Sequence, residues 1–209
     1  QPAVVELHLV NARAGRWNEG RLPVRSVDAT LRARPDAPEV VDVETLRAAL
    51  GAADRPGGRI DAHGRWAGDA WNVAADLDGV RPVALDGRAP QATLAGTVTL
   101  TGSGFAKAPE QHVIDAVAQL AGSFADPRLP RDAPRNARVR AEARIAANAI
   151  EIRSVEAMLG GARASGAAKL VRSAADRPWR ASGKLHLVDF DPLPWWPGRA
   201  DSPLAHGTN

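Results

Sequence analysis

Hydrophobic and polar residues alternate one by one along much of this chain, and that period of two restricts its fold more than any other feature. The alternation is clearest in VVELHLV (4–10), VDATLRA (27–33), WNVAADLD (71–78), LAGTVTLTG (94–102) and RVRAEARIA (138–146). Successive side chains of a β-strand point to opposite faces, so each run predicts a strand with one apolar and one polar face. The Ala and Glu content of the last run would also suit a helix. Gly- and Pro-rich stretches separate the runs and predict an antiparallel, meandering sheet.

Two stretches depart from this period. In PEQHVIDAVAQLAGSF (109–124), apolar residues recur at helical spacing, at Val113, Ile114, Val117, Leu120, Ala121 and Phe124. This stripe, with Pro109 as a start signal, predicts an amphipathic helix. VETLRAALG (43–51) predicts a second, short helix that ends at Gly51.

The predicted fold is therefore mainly β: a curled, elongated antiparallel-type sheet with one amphipathic helix. The Pro- and charge-rich stretch 125–136 is the best internal boundary. It predicts a β-sheet segment over 1–108, a helix and link over 109–136, and a second β-sheet segment over 137–209. The chain begins with Gln1-Pro2 rather than Met, so we expect it to be a segment of a longer protein.

The charge pattern argues against a nucleic-acid partner. The sequence pI is about 10.1, yet the net charge is only +3. Arg supplies all but three of the 27 cationic residues, and its very high pKa accounts for the high pI. Acidic residues are interspersed with the arginines, so no continuous basic stripe of the kind that contacts phosphates is expected.

No residue pattern predicts a catalytic, cofactor or metal site. The chain has no Cys, which excludes thiolate chemistry and disulfides. The five His residues are far apart in the sequence, and no Ser lies in a Gly-x-Ser-x-Gly motif. GARASGAAK (161–169) lacks the Gly-Lys-Ser/Thr of a phosphate loop and is interpreted as a tight turn between strands.

The stretch WRASGKLHLVDFDPLPWWPG (179–198) brings two carboxylates close to two indoles. Asp189 and Asp191 could form a hydrolase pair, but no companion residues accompany them, and Asp before Pro is typical of a turn. Trp195 and Trp196 are candidates for ligand stacking or for sealing the end of a strand. A related phrase begins at Trp71, and this weak repeat favours an extended β structure, although a chance match remains an alternative.

At the level of phrases, the chain resembles a known family. Four phrases are similar to the periplasmic middle of TamB proteins: ELHLVNARAGRWNEGRLPVRSVDATLRA, GRWAGDAWNVAADLDGVRPVALDGRAPQATLAGTVTLTG, EIRSVEAMLGGARASGAAKL and the stretch 179–198. These proteins belong to the translocation and assembly module, within the wider AsmA-like group. The resemblance covers most of the chain except 109–136 and rests on strand and turn phrases, so it carries over no catalytic residue.

The resemblance implies a parent protein anchored in the inner membrane, with a body that crosses the periplasm as a curled β-sheet with an apolar concave face. It also implies work with the outer-membrane barrel TamA in outer-membrane biogenesis and in phospholipid movement. Strands with one aliphatic and one charged face suit a trough that shields acyl chains, at about 0.8 kcal/mol per buried CH₂. Such a sheet could also shelter a nascent outer-membrane protein strand by edge pairing.

The predicted function is therefore a non-enzymatic carrier of phospholipid or outer-membrane protein substrates. The predicted apolar groove consists of Val73, Leu77, Leu94, Val98, Leu100, Val139, Ala141, Ala143, Ile145, Leu185 and Leu187. The alternative is a β-sandwich-like binding module that recognises protein or glycan through Trp195 and Trp196.

Overall fold

A computed structural model of the chain describes residues 2–104, 111–125, 135–174 and 177–189. The described residues form one open antiparallel sheet of eleven strands, in which strand order follows chain order from β1 to β11. The strands are β1 Ala3–Val10, β2 Val24–Arg34, β3 Ala37–Gly51, β4 Pro56–Ala67, β5 Ala70–Val80, β6 Ala92–Ser103, β7 Val113–Phe124, β8 Arg135–Ala146, β9 Ala149–Leu159, β10 Ala162–Val171 and β11 Arg180–Val188. This architecture confirms the prediction of a mainly β, open antiparallel sheet.

Half of the neighbouring strand pairs are joined by short connections. Two residues each connect β2 to β3, β4 to β5, β8 to β9 and β9 to β10. Gly68, in the β4–β5 turn, has a φ of +58°, which a glycine adopts without strain. The longer connection from β1 to β2 contains a 3-10 helix, η1 (Trp17–Glu19), and the connection from β5 to β6 contains α1 (Pro82–Leu85).

The amphipathic helix predicted over 109–124 is wrong. Residues Val113–Phe124 form β7, which pairs along its whole length with β6 and β8. Alternate residues of β7 still form one apolar face: Ile114, Ala116, Ala118, Leu120, Gly122 and Phe124. The helical spacing arises because the opposite face of the strand also carries apolar residues, at Val113, Val117 and Ala121. Pairing on both sides of the strand decides between the two patterns in favour of the sheet.

The short helix predicted over 43–51 is also wrong, because these residues belong to β3. The adjacent apolar residues Ala48, Ala49 and Leu50 obscure the period of two there. The predicted turn over 161–169 is wrong as well, since the turn is confined to Gly160 and Gly161 and β10 begins at Ala162.

Register shifts interrupt the ladders between β2 and β3, β3 and β4, β5 and β6, β8 and β9, and β9 and β10. Each shift adds local twist and bends the sheet. In β6, and in β10 up to Lys169, half-buried residues on the apolar side alternate with exposed residues on the other side. Both observations fit a curled sheet with the apolar side inside.

Candidate functional site: the apolar face of the sheet

All eleven residues of the predicted groove lie on one face of the sheet. The register aligns Val98 with Ala75 on one side and with Ala118 on the other, and the alignment continues to both edges. The resulting central row contains one residue from each strand: Leu7, Ala29, Leu46, Ala62, Ala75, Val98, Ala118, Ala141, Val155, Gly166 and Leu185. Every member of the central row is aliphatic or glycine.

Three further rows of the same face, two residues apart along each strand, are equally free of polar side chains. The first is Leu9, Val27, Ala48, Ile60, Leu77, Gly96, Leu120, Val139, Ala157, Ala164 and Leu187. The second is Val5, Leu31, Val43, Gly64, Val73, Leu100, Ala116, Ala143, Ile152, Ala168 and Gly183. The third is Ala3, Ala33, Val41, Trp66, Trp71, Gly102, Ile114, Ile145, Ile150, Leu170 and Ala181. We call these four rows the apolar face.

The dimensions of the apolar face follow from sheet geometry. Eleven strands at about 4.8 Å spacing extend for about 48 Å across the sheet, and four rows cover about 20 Å along each strand. Ala and Gly make up a large part of the rows, so the face has little bulk above the backbone. A surface of this shape accommodates long apolar molecules without requiring a specific hydrogen-bond partner.

Little of the described chain covers the apolar face. The strands make their main contacts with their sheet neighbours, and α1 contacts β3, β4 and β6. Among the described residues no large side chain is fully buried. Ile145 is 38% exposed, and Leu185 and Leu187 on the edge strand β11 are 65% and 49% exposed. The other predicted groove residues are half-buried. The face is therefore partly accessible along its length.

One end of the sheet is more tightly packed than the rest. Phe124, Ala137 and Leu159 form a buried cluster, against which Ala92 and Leu94 pack. Leu50 of β3, Val80 of β5 and Ala84 of α1 are buried at the same end. We call this region the packed end. Leu94 therefore belongs to the packed end, whereas the other predicted groove residues lie in the four open rows.

The loops at the packed end contact one another across several strands. The Gly87 amide donates a hydrogen bond of 2.7 Å to Asn18 Oδ1, which joins the β5–β6 connection to the β1–β2 connection. The Arg88 guanidinium donates to both Asp86 carboxylate oxygens, at 3.0 and 2.6 Å. These hydrogen bonds, with that of the Arg88 amide, lower the pKa of Asp86 to about 2.

The opposite face of the sheet is polar. Its middle row runs through His8, Asp28, Arg47, Asp61, Asp76, Thr97, Gln119, Arg140, Glu156, Ser165 and His186. Cross-strand ion pairs are frequent here, for example Arg32–Glu44 at 2.6 Å and Arg59–Asp78 at 3.0 Å. The hydrogen bond to Glu44 raises the pKa of Arg32. His8 hydrogen-bonds Asp28, and His186 lies at the far end of the same row.

The polar face also carries a feature that the sequence analysis missed. A depression of about 940 Å³ extends over β6 to β11, and its lining includes Arg138, Arg140 and Arg163. Of the predicted groove residues, Val139 is also part of its lining. Arg138 and Arg140 lie on β8 and Arg163 lies on β10, and the strand register places them in one depression, so no local sequence pattern marks them.

The remaining sequence candidates are only partly described. Asp189 follows β11 with a φ of +50°, a left-handed conformation that Asp adopts more readily than most residues other than glycine. Asp191, Trp195 and Trp196 lie outside the described residues. Trp179 packs against the Arg172 guanidinium, whose carbon lies 4.7 Å from the ring centroid. Trp66 and Trp71 face each other across the β4–β5 hairpin on the apolar face.

Within the described parts of the chain, no group of His, Asp and Glu side chains could hold a metal ion. Among the same residues, no helix has the length and apolar character needed to cross a membrane. No protein-family model, no curated protein and no solved structure matches the chain.

Proposed function

We propose that the chain is a non-enzymatic segment of a TamB-like periplasmic protein, whose apolar face carries phospholipid acyl chains between the inner and outer membranes. The observation that carries this proposal is the set of four apolar rows that cross all eleven strands without a polar side chain. The phrase-level resemblance described above supports the location in the periplasm and the partnership with a TamA-like outer-membrane barrel.

The size of the face supports an acyl chain as the occupant. One leaflet contributes about half of the roughly 30 Å hydrocarbon core of a bilayer, so an acyl chain extends over about 15 Å. The apolar face measures about 20 Å along the strands, which accommodates such a chain side by side with others. Each CH₂ group removed from water contributes about 0.8 kcal/mol, so partial coverage of a chain already gives substantial binding.

The hydrogen-bond pattern favours lipid over peptide on the interior strands. In β2 to β10 both neighbours occupy the backbone hydrogen-bonding groups, so an added strand finds partners only at β1 or β11. Acyl chains need no such partners. An outer-membrane protein substrate would therefore pair with an edge, where Leu7 and Leu9 of β1 are 40% and 52% exposed.

The test compares two variants of adjacent residues on β6. Val98→Asp places a carboxylate in the middle of the central row, whereas Thr99→Asp places it on the exposed polar face. Phospholipid that copurifies with the full chain is quantified by mass spectrometry. We expect Val98→Asp to reduce bound phospholipid about tenfold or more, because a buried charge is strongly disfavoured beside acyl chains.

Thr99→Asp should leave the bound amount unchanged. The proposal is contradicted if the wild-type chain binds no phospholipid, or if the two variants retain equal amounts while both remain folded by circular dichroism.

A further inference from the structure

The depression on the polar face differs from the apolar face in position and in chemistry. Most of its lining residues occupy the alternate strand positions that belong to the polar face, among them Gln119, Arg138, Met158 and His186. A twisted sheet is saddle-shaped, so its second face can also be concave along a diagonal. The depression is therefore a surface separate from the apolar face, on the other side of the sheet.

Two arginines flank an apolar floor in this depression. The register aligns Arg138 of β8 with Met158 of β9, and Met158 with Arg163 of β10. The two arginine Cα atoms are thus two strand spacings apart, about 10 Å, with the Met158 side chain between them. Val188 of β11 continues the row beyond Arg163. Arginine side chains are long enough to meet over a group that rests on Met158.

Two arginines of the depression lack acidic partners among the described residues. Several other arginines of this face are paired with acidic residues, as in Arg47–Asp61 at 3.4 Å and Arg153–Asp115 at 3.1 Å. Arg138 and Arg163 make no ion pair with any described residue, and Glu156 is the acidic residue among the described lining of the depression. Arg140 lies one row away from Arg138 on the same strand and pairs with Glu142 at 3.8 Å.

We propose that this depression binds a phosphate-bearing ligand, with the phosphate between Arg138 and Arg163 and an adjoining apolar part against Met158 and Val188. A guanidinium binds phosphate oxygens through two parallel N–H···O hydrogen bonds, and two guanidinium groups on either side of Met158 could both bind one tetrahedral anion. Thioether and aliphatic side chains beside the cations suit the carbon skeleton of a phosphate ester. A phospholipid headgroup and a soluble phosphate ester both present this chemistry.

The first experiment uses a ligand without acyl chains, so that it reports on this site and not on the apolar face. Glycerol 3-phosphate is titrated into the full chain by isothermal calorimetry. The double variant Arg138→Gln/Arg163→Gln should bind it about tenfold more weakly or not at all. The control Arg13→Gln/Arg34→Gln removes the same charge from exposed arginines outside the depression and should bind like the wild type.

The second experiment identifies the source of the phosphate. Flotation with phosphatidylcholine vesicles that contain phosphatidylglycerol, in the Val98→Asp background, tests headgroup binding with the central row disrupted. Binding of vesicles alone assigns the site to a headgroup, and binding of glycerol 3-phosphate alone assigns it to a soluble ester. Either outcome supports the proposal if the Arg138/Arg163 variant abolishes it.

The proposal is overturned if the wild type binds neither probe, or if the control pair weakens binding as much as the Arg138/Arg163 pair.

A third experiment, on the wild-type chain, avoids any effect of substitution on folding. Phenylglyoxal modifies accessible arginines, and mass spectrometry locates the modified residues. The probe that binds should protect Arg138 and Arg163 but leave Arg13 and Arg34 reactive, and equal protection of all four would overturn the proposal.

Discussion

The indole of Trp71 lies against the backbone of Gly102 on the neighbouring strand, where a β-carbon would collide with the ring. The large aromatic side chain thus fills the space that the glycine leaves at one margin of the apolar face. Trp66 lies opposite Trp71 on the other strand of the β4–β5 hairpin.

This contact predicts that Gly102→Ala destabilises the sheet by about 1–3 kcal/mol, since the indole must move to admit the methyl group. Urea unfolding followed by tryptophan fluorescence measures the change. The matched control is Gly161→Ala, because an added Cβ at Gly161 meets nothing within 4 Å. The control should change the free energy of unfolding by less than about 0.5 kcal/mol, and equal effects would refute the packing argument.

Placing a large apolar side chain on the apolar face separates the effect of shape on lipid binding from the effect of polarity. Ala118 lies in the central row between Val98 and Ala141. Ala118→Trp should lower the amount of copurified phospholipid while leaving stability unchanged or higher, because the indole occupies the space above the strand without introducing charge. Thr99→Trp, on the other face, serves as the control. If the Ala118 variant binds as much phospholipid as the wild type, acyl chains do not bind on the apolar face.

The packed end should contribute strongly to stability. Phe124 is 5% exposed and contacts Ala137 and Leu159 in the buried cluster. Phe124→Ala removes the largest side chain of this cluster and should destabilise the protein by about 3 kcal/mol. Val113→Ala, at the other end of the same strand, should cost less than half as much. The urea midpoints of unfolding of the two variants measure these effects. A similar loss of stability in both variants would contradict the assignment of a packed end.

Asp86 predicts an acid-dependent contribution to stability. Its pKa falls from 3.8 to about 2 in the folded chain, chiefly because of the hydrogen bonds from Arg88. A lowered folded-state pKa stabilises the protein fully above pH of about 3.8, and this stabilisation is lost as the pH falls through about 2. Asp86→Asn should therefore be less stable than the wild type at pH 6, and this difference in stability should shrink as the pH falls toward 2.

Urea unfolding at several pH values between 2 and 6 measures this difference. Arg88→Gln should reduce the same pH-dependent contribution, because Arg88 supplies the main hydrogen bonds. A stability difference that stays constant over the whole pH range would assign the effect of Asp86→Asn to another cause.

The alternation of side chains was sufficient to predict most strands and the apolar side of each. Val98 and Val139, for example, were assigned to an apolar face from their own strands alone, and the register aligns them on the same side of the sheet. The alternation failed in β7 because Val117 and Ala121 make its second face apolar too. A single sequence records both faces of a strand but not the neighbours that pair with it, and the pairing decided this element.

The register between strands could not be predicted from the sequence, for a related reason. The register shift between Glu142 and Ala143 changes the alignment of β8 with β9, and no local sequence pattern predicts it. Arg138 and Arg163 lie on either side of Met158 because of the pairing of β8 with β9 and of β9 with β10, although they are 25 residues apart in the chain. Their juxtaposition could be found only from the three-dimensional arrangement.

The agreement between strand order and chain order makes this architecture extensible. Each strand depends on its two neighbours, so a hairpin can be added or removed at an edge without rearranging the remaining ladders. Every added hairpin would lengthen the apolar face by two strand spacings, about 10 Å. Duplication of hairpins during evolution could therefore change the length of the apolar face across the strands without requiring a new core.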